Sequence, residues 1–172
     1  MTTARNLWGP RSGFGLAVAV AACVIDQASK LWLLQVYGLT ERDAIHVAPF
    51  VDLVLTWNTG ISYGWFQQEG PLGQGLLLGF KALAVVLLWI WLARSHYKLP
   101  ALSLGLIIGG AIGNAIDRLL YGAVADFVLL HVETATWHFN WYVFNLADVA
   151  IVAGVVGLLY ESLTRDSAPK AP

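Results

Sequence analysis

Long apolar runs separated by shorter mixed segments are the main pattern of this chain. Four of these runs are long and apolar enough to predict membrane-crossing helices, and they cover residues 14–34, 72–93, 99–120 and 143–163. A helix of about 20 residues spans a hydrocarbon core of roughly 30 Å. The pattern therefore predicts an integral membrane protein, mainly α-helical, with a four-transmembrane-helix bundle.

Two of the intervening segments have the alternation of strands rather than helices. Segment 36–70 contains HVAPFVDLVLTWNTG, and segment 121–142 contains AVADFVLLHV and ATWHFNWYV. In the last of these, Trp137, Phe139 and Trp141 alternate with His138, Asn140 and Tyr142, the period of two expected for a strand. We expect a small extracytoplasmic β layer on the bundle, with residues 1–172 forming a single membrane domain.

Composition strengthens the membrane assignment. The chain has 172 residues, of which 58% are hydrophobic and only 12% are charged. Its mean hydropathy is +0.64. Values of this kind exclude an ordinary soluble domain.

Lysine and arginine outside the predicted spans indicate the orientation. The segments that would face outward contain one basic residue, Arg42. The segments that would face inward contain six: Arg5, Arg11, Arg94, Lys98, Arg165 and Lys170. Positive charge concentrates on the cytoplasmic side, so we expect both termini in the cytoplasm.

The single cysteine, Cys23, allows two interpretations. It follows the apolar stretch LAVAVAAC, which has the character of a lipoprotein signal peptide, so Cys23 could be a lipidated new N-terminus. The apolar run continues beyond Cys23 to Leu34, however, and three further spans follow. A packing role within the first helix fits this continuation better.

Polar residues within the predicted spans are costly in a bilayer and mark a functional site by default. With the predicted orientation and a rise of about 1.5 Å per residue, seven of them lie roughly 3–12 Å below the outer surface. They are Asp26, Lys30, Asn114, Asp117, Arg118, Asn145 and Asp148. Lys81 lies deeper, at about 13–14 Å, and the sequence predicts no role for it. The common level of the others predicts a buried site that opens outward.

Most of these charges have a partner nearby in sequence. Asp26 and Lys30 are four residues apart on one helix face, in the favourable order. Asp117 and Arg118 are neighbours whose charges balance locally, and Asn114 shares a helix face with them. We call the common level of these residues the polar layer, and its net charge around these partners should be close to zero.

Two acids lack such a partner, Asp148 and Asp126. Asp126 lies beyond the third predicted helix, in AVADF, and could be a solvated loop acid. If the segment instead folds back over the bundle, the two carboxylates could meet. Facing carboxylates in a low-dielectric pocket share a proton. Such a pair can hydrolyse a peptide bond: one carboxylate acts as general base on a water, and the other acts as general acid.

Five motifs resemble those of one family, the lipoprotein signal peptidases. They are DQASK (26–30), NTGISYG (58–64), GGAIGNAIDRL (109–119), VADF (124–127) and FNLADVAI (144–151). The resemblance implies an intramembrane aspartic peptidase of the bacterial inner membrane. Its substrate would be a prolipoprotein, cut just before a cysteine that carries a diacylglyceryl group.

The same resemblance assigns roles to residues. It implies that Asp126 and Asp148 are the catalytic pair. Eight residues would bind substrate or support the site: Asp26, Lys30, Asn58, Gly60, Asn114, Asp117, Arg118 and Asn145. It implies that the protein is a monomer whose partners are the prolipoprotein and membrane lipid. It implies no metal, no cofactor and no nucleic-acid partner.

Three other hypotheses are open from the residues alone. A four-span proton-coupled transporter would also bury acids at one level, although it would place polar residues near both faces. A metal site at His131, Glu133 and His138 has the right residue types but not the helical HExxH spacing. Serine catalysis by Ser29 with Lys30 conflicts with their adjacency, because neighbouring helical residues point apart.

Overall fold

A computed structural model describes residues 7–60, 71–134 and 136–166, apart from the side chains at 71–74, 76–77 and 165–166. The helices are α1 (Ser12–Leu31), α2 (Pro71–Ala93), α3 (Lys98–Tyr121) and α4 (Leu146–Asp166). The strands are β1 (Ile45–Ala48), β2 (Val51–Asn58), β3 (Val124–Glu133) and β4 (His138–Phe144). A π-helical turn at Trp32–Val36 extends α1, and a short 3-10 helix covers Leu39–Glu41.

Three of the described helical segments are long and apolar enough to cross a membrane. They are Ser12–Val36, Lys98–Tyr121 and Leu146–Thr164, whereas the apolar part of α2, Leu78–Ala93, is shorter. Helices able to span a membrane and a small β-sheet are thus confirmed. The count of four spans stays a prediction. The predicted start of the last helix at residue 143 was three residues early, because β4 continues to Phe144.

The central element of the bundle is α3. Of its 18 most apolar consecutive residues, 61% are buried, against 22% for the corresponding stretch of the first span and 11% for that of the last. Glycines permit this close packing: a Cβ at Gly109 would lie 2.4 Å from the carbonyl oxygen of Ala19 in α1, and one at Gly110 would lie 2.4 Å from that of Ala147 in α4. Small residues at such contacts let helix backbones approach closely. The polar residues of three helices are thereby brought together.

The strands form one antiparallel sheet in the order β1-β2-β3-β4. Apolar residues of the sheet, among them Leu53 and Phe127, pack with Leu33 and Leu39 that follow α1. This cluster fixes the sheet against the end of the bundle, since apolar burial is worth roughly 25 cal/mol per Å². In this position β3 enters directly from α3 and carries its first residues over the polar layer.

Candidate active site

Asp126 lies near the start of β3, directly after the turn that ends α3. That turn is made by Gly122, whose φ of +74° is in the left-handed region where side chains with a Cβ are strained. Asp126 is 2% exposed and lies opposite Thr56 of β2. The interpretation of Asp126 as a solvated loop acid is therefore wrong.

Asp148 lies in the first turn of α4 and belongs to a reciprocal cap. The Asp148 backbone N–H donates to Asn145 Oδ1 at 3.0 Å, and the Asn145 backbone N–H donates to Asp148 Oδ2 at 3.2 Å. A capping box of this kind satisfies two helix-terminal donors and fixes the side chain at the third helical position. The Asp148 carboxylate therefore has a defined position at the helix end.

Two asparagine amides connect Asp126 to Asp148. Asn145 Nδ2 donates to Asp126 Oδ1 at 2.6 Å and to Asn114 Oδ1 at 3.1 Å. Asn114 Nδ2 in turn donates to Asp148 Oδ1 at 2.9 Å. We call Asn114 and Asn145 the asparagine bridge. Through it, the structure brings together the two acids that the sequence left without a basic partner.

The environment of Asp126 favours its protonated form. Burial, more than any other cause, raises its pKa from 3.8 to about 6, and the charge of Asp148 acts in the same direction. Hydrogen bonds from Asn58 and Asn145 and the positive charge of Lys30 lower the pKa and oppose this shift. At pH 6 about half of the Asp126 side chains would therefore hold a proton.

A buried ion-pair network lies next to the asparagine bridge. Lys30 Nζ is 2.8 Å from Asp26 Oδ2 and 2.8 Å from Asp117 Oδ2, and all three side chains are at most 2% exposed. Lys30 also donates to Asn114 Oδ1 at 3.2 Å. The expected Asp26–Lys30 pair is present. Asp117 pairs with Lys30 in addition to its expected charge interaction with Arg118, because helix packing turns Asp117 towards α1.

Further donors satisfy the two acids of that network, and sequence reasoning missed them. Gln27 Nε2 donates to Asp117 Oδ1 at 2.8 Å and approaches Asp26 Oδ2 at 3.3 Å. Backbone N–H groups of Ala147 and Ala125 donate to Asp26 and Asp117 at 2.9 and 3.1 Å. Backbone donors carry no sequence signal, and Gln27 had only its place beside Asp26 to mark it.

Arg118 supports the site from the opposite side. Its Nη2 donates to the Gly60 carbonyl at 3.0 Å, and the Gly60 N–H donates to Asn58 Oδ1 at 3.2 Å. Asn58 Nδ2 then donates to Asp126 Oδ2 at 3.1 Å. Arg118 is thus linked to Asp126 through the end of β2. The rest of the NTGISYG motif, residues 61–64, lies outside the described residues, as does part of the 36–70 segment.

Lys81 of α2 is half-buried, and its charge interacts with Arg118, Asp148 and Asp126, so it belongs to the electrostatic surroundings of the carboxylates. Ser29 Oγ donates to the carbonyl of Asp26 at 2.7 Å, whereas Lys30 bonds to acids, which removes support for a Ser–Lys pair.

The alternative metal set is separated in the sheet. His138 Nδ1 contacts Glu133 at 3.2 Å on exposed strand ends, and both side chains are at least 66% exposed. His131 instead lies 3.2 Å from Asp52. The structure therefore does not bring His131, Glu133 and His138 together as one set of ligands.

These features define a class: a membrane protein of apolar helices in which a buried carboxylate, Asp126, is linked to a partly buried one, Asp148, beside a small β-sheet. The model of the signal peptidase II family matches residues 18–164, and the chain belongs to that family of peptidases. A lipoprotein signal peptidase of Nitrobacter hamburgensis is 65% identical over 158 residues, covering 92% of this chain and 96% of the relative. One from Rhodopseudomonas palustris strain TIE-1 is 63% identical with the same coverage.

A solved structure agrees with the fold. A bacterial membrane enzyme superposes with a TM-score of 0.76 at 23% identity, covering 93% of both chains. A second such structure gives a TM-score of 0.71 at 24% identity. The transporter hypothesis is not supported, because the chain is a member of a peptidase family.

Proposed function

We propose that this protein is an intramembrane aspartic endopeptidase that cleaves the signal peptide from diacylglyceryl-modified prolipoproteins, just before the lipidated cysteine. Its membership of the signal peptidase II family and its identity to proteins named lipoprotein signal peptidase support this activity. Asp126 and Asp148 are the catalytic pair in this proposal.

The observation that carries the proposal is the shared partner of the two carboxylates. Asn145 donates through its side chain to Asp126 Oδ1 at 2.6 Å and through its backbone to Asp148 Oδ2 at 3.2 Å. The shared residue holds both carboxylates in one site, and the proposal requires that a single water reach both of them. The elevated pKa of Asp126, about 6, lets it hold a proton more readily than an ordinary carboxyl group does.

In the proposed hydrolysis the two acids have complementary roles. Asp148, as the general base, removes a proton from a water while the water oxygen attacks the scissile carbonyl carbon, and Asp126 donates its proton to the carbonyl oxygen. The resulting neutral diol has two hydroxyl groups. Asp148 next passes its proton to the leaving nitrogen, Asp126 recovers a proton from a hydroxyl, and the C–N bond breaks. Both acids return to their starting states.

The surrounding residues position this pair. Asn114 and Asn145 orient the carboxylates, and Asn58 with Gly60 and Arg118 holds the Asp126 side from β2. The network of Asp26, Lys30 and Asp117 joins α1 to α3 and, through the backbone of Ala147, to the start of α4. We assign this network a positioning role.

The membrane arrangement that fits this activity has four spans and both termini in the cytoplasm of a bacterial cell. The 23 residues of α2 would extend about 34 Å as a helix, enough for a fourth span. With the basic residues inside, the carboxylates lie close to the outer face of the inner membrane. A lipidated prolipoprotein would meet them there while its acyl chains stay in the bilayer.

Replacement of each acid tests the proposal. Asp126→Asn and Asp148→Asn keep the size of the side chain but remove its acid and base function. Each should lower the rate of prolipoprotein cleavage in proteoliposomes by at least about 10³-fold. Asp43→Asn, at an exposed loop acid, is the matched control and should cleave normally. Near-normal turnover by either dyad variant, with the control active, would refute the pair.

A further inference from the structure

Three potential metal ligands meet on the β-sheet, apart from the catalytic carboxylates. His46 of β1 lies directly opposite Asp52 of β2, and Asp52 lies opposite Leu129 of β3. His131 is two residues beyond Leu129, so it occupies the diagonal position on the same side of the ladder. We call these residues, His46, Asp52 and His131, the His–Asp–His cluster. Each comes from a different strand.

Distances within the cluster suit a shared ion. His46 Nδ1 is 2.6 Å from Asp52 Oδ1, and His131 Nε2 is 3.2 Å from the same oxygen. All the ligand atoms lie within 4.8 Å of one another. Ligand atoms about 2.1 Å from a tetrahedral zinc ion are about 3.4 Å apart, close to this spacing.

The state of His131 is the second observation that indicates a ligand. Its Nε2 is buried and has no hydrogen-bond partner in the part of the chain that the structure describes, although Asp52 Oδ1 is 3.2 Å away. A buried imidazole nitrogen without a hydrogen bond is costly. A metal ion bound between His131 and Asp52 would satisfy the nitrogen lone pair and neutralise the carboxylate.

We propose that the His–Asp–His cluster binds one divalent transition-metal ion, with zinc as the best match to two imidazoles and one carboxylate. Asp52 and His131 are the fixed ligands, since their side chains are 9% and 12% exposed. The side chain of His46 is 78% exposed and can turn outward to lengthen its 2.6 Å contact to metal-ligand spacing. Water completes the tetrahedron on this open side.

The role of this ion is to join strands, and it is separate from peptide hydrolysis. The catalytic Asp126 lies opposite Thr56 of β2. Thr56 is four residues from Asp52, so the two positions are about 13 Å apart along the strand. A bound ion at Asp52 thus cannot contact the scissile bond. It would instead clamp β1, β2 and β3, the sheet that carries Asp126.

Zinc binding to the purified, untagged full-length protein in detergent tests the site. After treatment with a chelator and its removal, titration with zinc chloride should give one tight site per chain. Asp52→Asn and His46→Ala should each weaken that binding by roughly 100-fold or more, because each removes a ligand. His46→Ala changes an exposed side chain, so it tests the site even if Asp52→Asn fails to fold.

His138→Ala is the matched control, since His138 is an exposed histidine of the same sheet outside the cluster. It should bind zinc as the unmodified protein does. Cobalt in place of zinc should give the strong visible absorption of four-coordinate nitrogen and oxygen ligation, lost in His46→Ala. Absence of stoichiometric binding, or equal binding by the cluster variants and His138→Ala, would overturn the proposal. Neither result would bear on Asp126 and Asp148, whose test is prolipoprotein cleavage.

Discussion

Asn145 performs two tasks that explain why an amide stands at this position. Its Oδ1 accepts the N–H of Asp148 and caps α4, while its Nδ2 donates to Asp126 at 2.6 Å. Serine or aspartate could cap the helix equally well, but an ionised aspartate offers no donor to Asp126. An amide supplies both the acceptor and the donor. Helix capping and carboxylate alignment are therefore coupled in one side chain.

At the same scale, the protonation of Asp126 predicts a pH dependence. If Asp126 must donate a proton, kcat/KM falls as the pH rises through its pKa of about 6. The Asn58 hydrogen bond lowers that pKa, so Asn58→Ala should raise it and move the alkaline limb to higher pH. The measurement is the pH profile of prolipoprotein cleavage by both proteins in the same detergent.

Asn140→Ala provides the comparison, because Asn140 is an exposed asparagine of β4. Its alkaline limb should coincide with that of the unmodified protein. If the alkaline limb of Asn58→Ala lies at lower pH or is unchanged, Asp126 is not the group that must be protonated.

Single residues also show how far the sequence could reach. The charge count left Asp126 and Asp148 without a basic neighbour, and the family resemblance then made them the catalytic candidates. The Asp26–Lys30 pair followed from its helical spacing. The partner of Asp117 did not follow, because Lys30 lies on another helix and only packing brings it to 2.8 Å. His46 and Asp52 were missed for the same reason, since strand register joins them to His131.

At the scale of elements, the glycines of α3 set the position of α4. A methyl group at Gly110 would lie 2.4 Å from the carbonyl oxygen of Ala147, the residue before Asp148. That neighbour is backbone and cannot rotate away. Gly110→Ala should therefore push the start of α4 outward, destabilise the bundle by about 1–3 kcal/mol and reduce kcat more than KM. Thermal unfolding in detergent and cleavage kinetics measure the two effects.

Gly79→Ala is the corresponding change in α2, where an added Cβ meets no described atom within 4 Å. There the gain in helix propensity, up to about 1 kcal/mol, should leave stability equal or higher and cleavage unchanged. If Gly110→Ala proves as stable and active as Gly79→Ala, α4 is not held by this contact.

The long apolar runs predicted the helices well because burial in lipid leaves little freedom in their composition. Boundaries were less certain where two patterns meet. The alternating aromatic residues of β4 are followed directly by the apolar residues of α4, and Val143 and Phe144 belong to the strand. The Asn145-x-x-Asp148 cap marks the true start, a local signal that hydropathy alone ignores.

For the whole molecule, the arrangement of charge is consistent with one orientation. The polar layer and the sheet lie at one end of the bundle. At the other end of α3, Arg94 follows α2 and Lys98 is the first residue of α3. Basic residues prefer the cytoplasmic side. The proposed location of the carboxylates near the outer face follows from this asymmetry rather than from any single contact.

Cysteine labelling tests this orientation. In a Cys23→Ser background, Thr134→Cys lies at the exposed end of the β3–β4 hairpin and His96→Cys lies between α2 and α3. A membrane-impermeant maleimide added to intact spheroplasts should label Thr134→Cys and leave His96→Cys unlabelled. After lysis both should react, which controls for accessibility, and both should retain cleavage activity. Labelling of His96→Cys in intact spheroplasts, with Thr134→Cys protected until lysis, would invert the proposed orientation and place the carboxylates on the side opposite to a translocated prolipoprotein.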